Sequence, residues 1–230
     1  LRPGAVHGDR ALRDAPMEKS RRLGPGGGGH RHQCMGSEMA HPSLSELPPG
    51  DLRAPLLRSL RAYRAMDADD ASQAERVAAF VLSEPRCFDR STLGGHVTGS
   101  AWVVSADGRR VLLTHHRKLN LWLQLGGHAD GDVDPLRVAL REAQEESGIK
   151  NIFPATEDIF DLDVHPIPAR KNEPAHLHYD IRFSFFAEDE RFTVGEESIA
   201  LEWIDIDRIA ERTTEASMLR MAAKWKARVR

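Results

Sequence analysis

Cysteine is scarce in this 230-residue chain: there are two, Cys34 and Cys87. At that spacing they form no metal or redox motif and suggest no disulfide framework. Long apolar runs are missing too; none approaches the roughly 18 residues that a membrane-spanning helix needs. Nor is there an excess of positive charge. The formal net charge is −3, which leaves no basic footprint for nucleic acid. What remains is the composition of a water-soluble globular protein, long enough for one catalytic domain with extensions. Neither a membrane nor a nucleic-acid partner is expected, and a reducing cytoplasm is the expected setting.

Residues 1–41 differ from the rest. They hold the glycine tract Gly26 to Gly29, scattered arginines and no apolar periodicity. Such a stretch cannot bury enough surface to offset the entropy of ordering, so disorder is expected. The arginines suit a mitochondrial presequence, but Asp9, Asp14, Glu18 and the glycines argue against one. A natural start at Met35 or Met39 is as well supported as a functional tail, and His30 and His32 read as bystanders. Residues 42–90 read as a helical extension. Leu56, Leu57, Leu60 and Tyr63 share a helical face, and Ser72-Gln73-Ala74-Glu75 is a capping box that would open a second helix carrying Val77, Phe80 and Val81. Such a pair can pad a sheet, cover a site or form a dimer interface.

Residues 91–230 form the expected catalytic domain, and from about 95 the pattern turns to period two. Strands are expected at 97–105 and 110–114, joined by the turn Asp107-Gly108, and again at 159–164, 175–187 and 199–204. Helices are expected at 134–147, near 205–212 and at 214–228. A mixed sheet with the first of these on one face and the last on the other makes a three-layer α/β/α sandwich.

The most informative segment is Gly127 to Ile149, ending Arg141-Glu142-Ala143-Gln144-Glu145-Glu146-Ser147-Gly148-Ile149. Residues three and four apart share a helical face, so Glu142, Glu145 and Glu146 project together. Folding does not call for that crowding, which is repulsive unless a cation is held there. Hard divalent cations take oxygen ligands and bridge carboxylates to phosphates. An amphipathic helix alone would explain Asp134 as N-cap, Pro135 at the first turn, the stripe Leu136, Leu140 and Ala143, and Gly148 as the stop. It would not explain the Gly126-Gly127 pair or the three neighbouring carboxylates.

This segment resembles the Nudix box: Gly, five residues, Glu, seven residues, then Arg-Glu-apolar-x-Glu-Glu-x-Gly-apolar. Gly127, Arg141, Glu142, Glu145, Glu146 and Gly148 match, with Ala143 and Ile149 at the apolar positions. The departure is Val133, which stands where the family has Glu. In the family that Glu braces the loop against the box arginine, here Arg141, and Asp132 is the expected substitute. The resemblance covers about residues 95–229 and implies the α/β/α Nudix sandwich. It also implies a pyrophosphohydrolase that cleaves a diphosphate linkage in a nucleoside diphosphate derivative by water attack on phosphorus. Mg²⁺, with Mn²⁺ as a substitute, would be held by Glu142, Glu145, Glu146 and the carbonyl of Gly126. Glu145 and Glu146 would join catalysis, and homodimerisation is common.

In many family members a base stands on a loop before a late strand. Gly195-Glu196-Glu197-Ser198 is the matching place, with Glu197 favoured over Glu196, and Glu145 in reserve. Arg117 and Lys118, just ahead of the glycine loop, suit diphosphate; Arg170 and His128 are further substrate-binding candidates. His176, His178, Asp180 and Arg182 alternate onto one strand face. A His-x-His pair can hold a transition metal, but no third ligand stands out, so His178 reads as a substrate contact. Trp122 reads as packing. Two other Nudix classes fit less well. Isoprenoid diphosphate isomerases need a catalytic cysteine, and neither Cys34 nor Cys87 is well placed. Nudix transcription regulators carry a winged helix, for which the residues after Trp203 are too few. A weakly active ligand-binding module is the alternative to a hydrolase.

Overall fold

The computed structural model describes residues 47–170 and 173–229. The expectations for residues 1–41, including Cys34, His30 and His32, lie outside the described residues. Two helices come first, α1 (Ala54–Ala62) and α2 (Ala68–Ser83). Strands β1 (Gly95–Ser105), β2 (Arg110–His116), β3 (Leu121–Leu123) and β4 (Leu125–His128) follow, then the box helix α3 (Pro135–Ser147). Strands β5 (Ile152–Pro154), β6 (Asp161–Ile167), β7 (His176–Ala187) and β8 (Ser198–Asp205) lead to a 3-10 helix (Ile206–Glu211) and α4 (Ala216–Arg228).

All eight strands belong to one mixed sheet. Its spine is the long parallel pair β1 and β7, in register from Gly95 opposite Leu177 to Ser105 opposite Ala187. Alternation along β1 sorts the layers. Val97, Ala101 and Val103 pack with Val138, Ala139 and Ala143 of α3 and with Leu56, Leu57, Val77 and Val81 of α1 and α2. Trp102 and Val104 pack on the other face with Met218, Met221 and Trp225 of α4. The expected three-layer α/β/α sandwich is thus present, with α1 and α2 padding the same face as the box helix. Gly99 is where α3 comes closest to the sheet: a Cβ there would meet Pro135 O at 2.7 Å and Val138 Cβ at 2.9 Å.

Three local readings change. Helix α2 starts a turn early, because Asp67 Oδ1 accepts the Asp70 N–H at 2.9 Å and Asp69 and Asp70 favour the positive end of the helix. Gln73 of the supposed capping box instead accepts the Val164 N–H at 3.0 Å, closing the outer edge of β6. Strand β6 begins later than expected and runs on through Pro166. An edge strand tolerates proline because its missing N–H faces away from the ladder, and among the named strands β6 pairs with β7 alone. The short β5, with Pro154 at its end, had no period-two signature.

The box helix forms as its residues dictate. Asp134 Oδ1 accepts from the N–H groups of Leu136 and Arg137, Pro135 fills the first turn, and Gly148 closes the helix at φ 70°. A buried polar knot ties the C-terminal helix to the rest. Lys224 Nζ lies 2.6 Å from Asp161 and 2.7 Å from Asp70, and Arg182 spans Asp180, Asp161 and Asp163. No helix among the described residues is long and apolar enough to cross a membrane.

Candidate active site

Strand β4 carries the glycine pair past the carboxylate face of α3. The Gly126 N–H donates to Glu146 Oε1 at 2.8 Å. A Cβ on Gly127 would lie 2.5 Å from the carboxyl carbon of Glu142, so a side chain there would displace the carboxylate. Glu142 and Glu146 therefore stand together against bare backbone. Glu145 is turned further out, 62% exposed, and reaches Arg141 at 3.4 Å.

Burial pushes the Glu146 carboxyl up to about 8; the charges of Glu142 and Glu197 add to this, while the Gly126 N–H opposes it. Glu142 is raised as well, first by burial, with Arg141 pulling it back. Two desolvated carboxyls side by side resist ionising together unless positive charge is supplied. Their oxygen donors, with the glycine backbone alongside, fit a hard divalent cation.

These groups line one wall of a cavity of about 580 Å³. Glu196, Glu197 and Lys118 form a second wall, and Lys118 Nζ lies 3.9 Å from Glu197 Oε1. The loop that carries Glu197 is held close to the box helix: the Thr193 N–H donates to Ser147 O at 2.8 Å. Arg170, His128 and His178 also line the cavity. So of the residues singled out in the sequence, Gly126, Gly127, Lys118, His128, Glu142, Glu145, Glu146, Arg170, His178 and Glu197 share one space.

Arg117 does not join them. Its guanidinium donates to Glu196 O at 3.0 Å and Ser198 O at 2.7 Å, and its own N–H to Glu197 O at 2.9 Å. A strand-end arginine beside a neighbouring loop satisfies that loop's carbonyls first; Arg117 positions Glu197 and does not line the cavity. Asp132 also differs from expectation. It pairs with Arg137, Nε to Oδ2 at 2.8 Å, not with Arg141. Arg141 instead donates to His128 O at 3.1 Å and to Glu142 Oε1 at 2.7 Å, so it braces the glycine loop through a main-chain carbonyl. Val133 is partly buried against the core. Trp122 packs under His115, with Arg212 over its other side. Cys87 is fully buried, and burial pushes its thiol up to about 12, an environment that disfavours a reactive thiolate.

Asp180, read in the sequence only as part of a polar strand face, lines the cavity and accepts from Thr98, Ser100, Gln124 and Arg182. Across β6, β7 and β1 the register lines up His165, His178 and His96. His128 lies opposite Thr98, next along β1 on the same face. Burial lowers His178 and His128, and takes His96 down to about 4. The one sequence signal for this group was His176-x-His178.

The NUDIX domain family model matches residues 95–225, more than half of the chain. No curated protein matches. Among solved structures, the chain is similar to a Caenorhabditis elegans Ap4A hydrolase binary complex at 16% identity, with 58% of this chain and 96% of that one covered and a TM-score of 0.48. It is similar to a MutT protein from Methanosarcina mazei Go1 at 18% identity, covering 60% and 98%, with a TM-score of 0.46. A NUDIX family hydrolase from Clostridium perfringens is 21% identical over 57% and 97%, at a TM-score of 0.43. With the box helix set against its glycine loop and the family match running from β1 into α4, the chain belongs to the Nudix superfamily.

Proposed function

We propose that this protein is a Mg²⁺-dependent hydrolase that cleaves the diphosphate linkage of a nucleoside diphosphate derivative. The observation that carries this is the pair of desolvated carboxylates, Glu142 and Glu146, set against Gly126 and Gly127 inside the cavity. Glu142, Glu146 and the Gly126 carbonyl would hold the ion, with Glu145 adding a ligand or orienting water. When bound, the cation supplies neutralisation of the phosphate charge.

The chain's own groups do the rest. Lys118 and Arg170, which line the same cavity, would offset the charge of the diphosphate oxygens. Glu197, on the loop held beside the box helix, accepts a proton from the attacking water. The oxygen of that water bonds to phosphorus, the bridging P–O bond breaks, and its electron pair leaves with the departing phosphate. Arg117, by fixing the carbonyls of the 195–198 loop, sets where Glu197 points.

The test is Mg²⁺-dependent cleavage measured across ADP-ribose, nucleotide sugars, dinucleoside polyphosphates and nucleoside triphosphates, with Glu146→Gln beside wild type. Cleavage of one class that disappears in the variant is expected. Folded wild-type protein that cleaves none of them with Mg²⁺ or Mn²⁺ would favour a ligand-binding module.

A further inference from the structure

Three histidines gather closely on the β1–β7 pair. One nitrogen from each of His96, His176 and His178 falls within a group no wider than 4.8 Å. His96 is 1% exposed and His176 8%. Among the described residues, four of their nitrogens have no hydrogen-bond partner: both of His96, and Nε2 of His176 and His178. Leaving a buried polar atom unpaired is costly, so three such imidazoles side by side are a standing cost unless something binds between them.

The tautomer of His176 says what kind of ligand that is. Its Nδ1 lies 2.9 Å from the carbonyl of Pro174, which can only accept, so Nδ1 carries the proton and Nε2 presents a lone pair. A ring nitrogen fixed by a carbonyl behind it is the usual arrangement behind a metal-bound histidine. Imidazole nitrogens converging on one point, with unpartnered atoms among the described residues, suit a borderline transition-metal dication, where the carboxylate helix suits a hard one.

We propose that His96, His176 and His178 form a second metal centre, selective for Zn²⁺ or a similar transition-metal dication, beside the cavity that His176 and His178 line. The sheet builds it: His96 and His178 are cross-strand partners on the parallel β1–β7 pair, and His176 precedes His178 by one alternation on the same face. Ligation needs small side-chain rotations, since nitrogens about 2.0–2.1 Å from a tetrahedral zinc stand roughly 3.3 Å apart. Glu173, with Oε1 3.9 Å from His176 Nε2, is at hand as a fourth ligand. The centre does not depend on the hydrolase reading.

The test uses the tag-free full chain, stripped of metal, with His30 and His32 replaced by alanine so that the N-terminal His-x-His cannot supply the signal. It is titrated with Co²⁺, followed by visible absorption, and with Zn²⁺, followed by calorimetry. The same titrations are run on H176Q, H178N and the double variant E142Q/E146Q, with near-UV circular dichroism checking each fold. One ion per chain is expected, retained in the carboxylate variant and weakened by about 100-fold or more in either histidine variant. Two folded histidine variants keep the test open if one fails to fold. Binding that is lost in E142Q/E146Q but kept in both histidine variants would overturn the proposal, as would no binding by folded protein; in either case the imidazoles would be a substrate wall only.

Discussion

Replacing Glu146 by glutamine should destroy activity and yet stabilise the metal-free protein, and the size of the gain should depend on pH. The Glu146 carboxyl titrates near 8 in the folded chain, against 4.5 for the free group, chiefly because it is buried. Between those values the folded state holds a proton that the unfolded state has lost. Stability therefore falls as pH rises through this window and levels off above about 8. At about 1.4 kcal/mol per pH unit the full cost of ionising Glu146 is at most ~5 kcal/mol; water entry from the cavity brings it to ~2 kcal/mol. Glutamine keeps the acceptor for the Gly126 N–H and removes the charge. Thermal melts in chelator should show the two proteins alike near pH 4.5. By pH 8.5 Glu146→Gln should melt ~4–8 °C higher, taking 2–4 °C per kcal/mol for a domain of this size. Added Mg²⁺ should close that gap by raising wild type alone. A gap that is the same at both pH values, or a variant less stable than wild type at pH 8.5, would refute the assignment of Glu146 as a desolvated carboxylate awaiting a cation.

Arg117→Ala tests whether that side chain positions the loop or touches substrate. A fall in kcat of about ten-fold with KM within about two-fold is expected, since a misdirected base acts on the chemical step; a KM rise at constant kcat would return Arg117 to the diphosphate. Lys224→Met leaves Asp161 and Asp70, both fully buried, without their shared cation. The expected loss is about 3–5 kcal/mol, read from the urea midpoint, and a loss under ~1 kcal/mol would mean the knot relaxes freely.

The parts of this site that could be read along the chain are those built from near neighbours. Asp134, Pro135 and Gly148 bound one helix by local chemistry, and Glu142 and Glu146 share its face by helical geometry alone, so both were visible as a pattern. The histidine centre was not, because it depends on strand register. His96 meets His178 only through the parallel pairing of β1 with β7, and His165 only through the pairing of β6 with β7. A His-x-His without its third partner reads as a polar strand face. Arg117 and Asp132 were misplaced for a related reason. Their nearest competing partners, the 196–198 carbonyls and Arg137, are set by loop conformation, which one-dimensional spacing does not encode.

The Val133 departure has a physical consequence at Arg141. No carboxylate at position 133 holds the box arginine here, so its guanidinium is committed to His128 O and to Glu142 and Glu145. Arg141 therefore does two things in this chain: it secures the glycine loop, and it is the cation that keeps Glu142 from rising further. Arg141→Met separates these roles. Losing the loop contact scales activity down at every pH. Losing the charge raises Glu142 further, so more alkaline solution is needed to ionise it for metal. Measured at limiting Mg²⁺, the acidic limb of kcat/KM should move to higher pH, and only modestly because solvent screens this half-exposed guanidinium. Saturating Mg²⁺ should pull the limb back, since the ion replaces the missing charge. A uniform loss of activity with an unmoved limb would mean that Arg141 acts on the loop alone and that Glu142 does not depend on it.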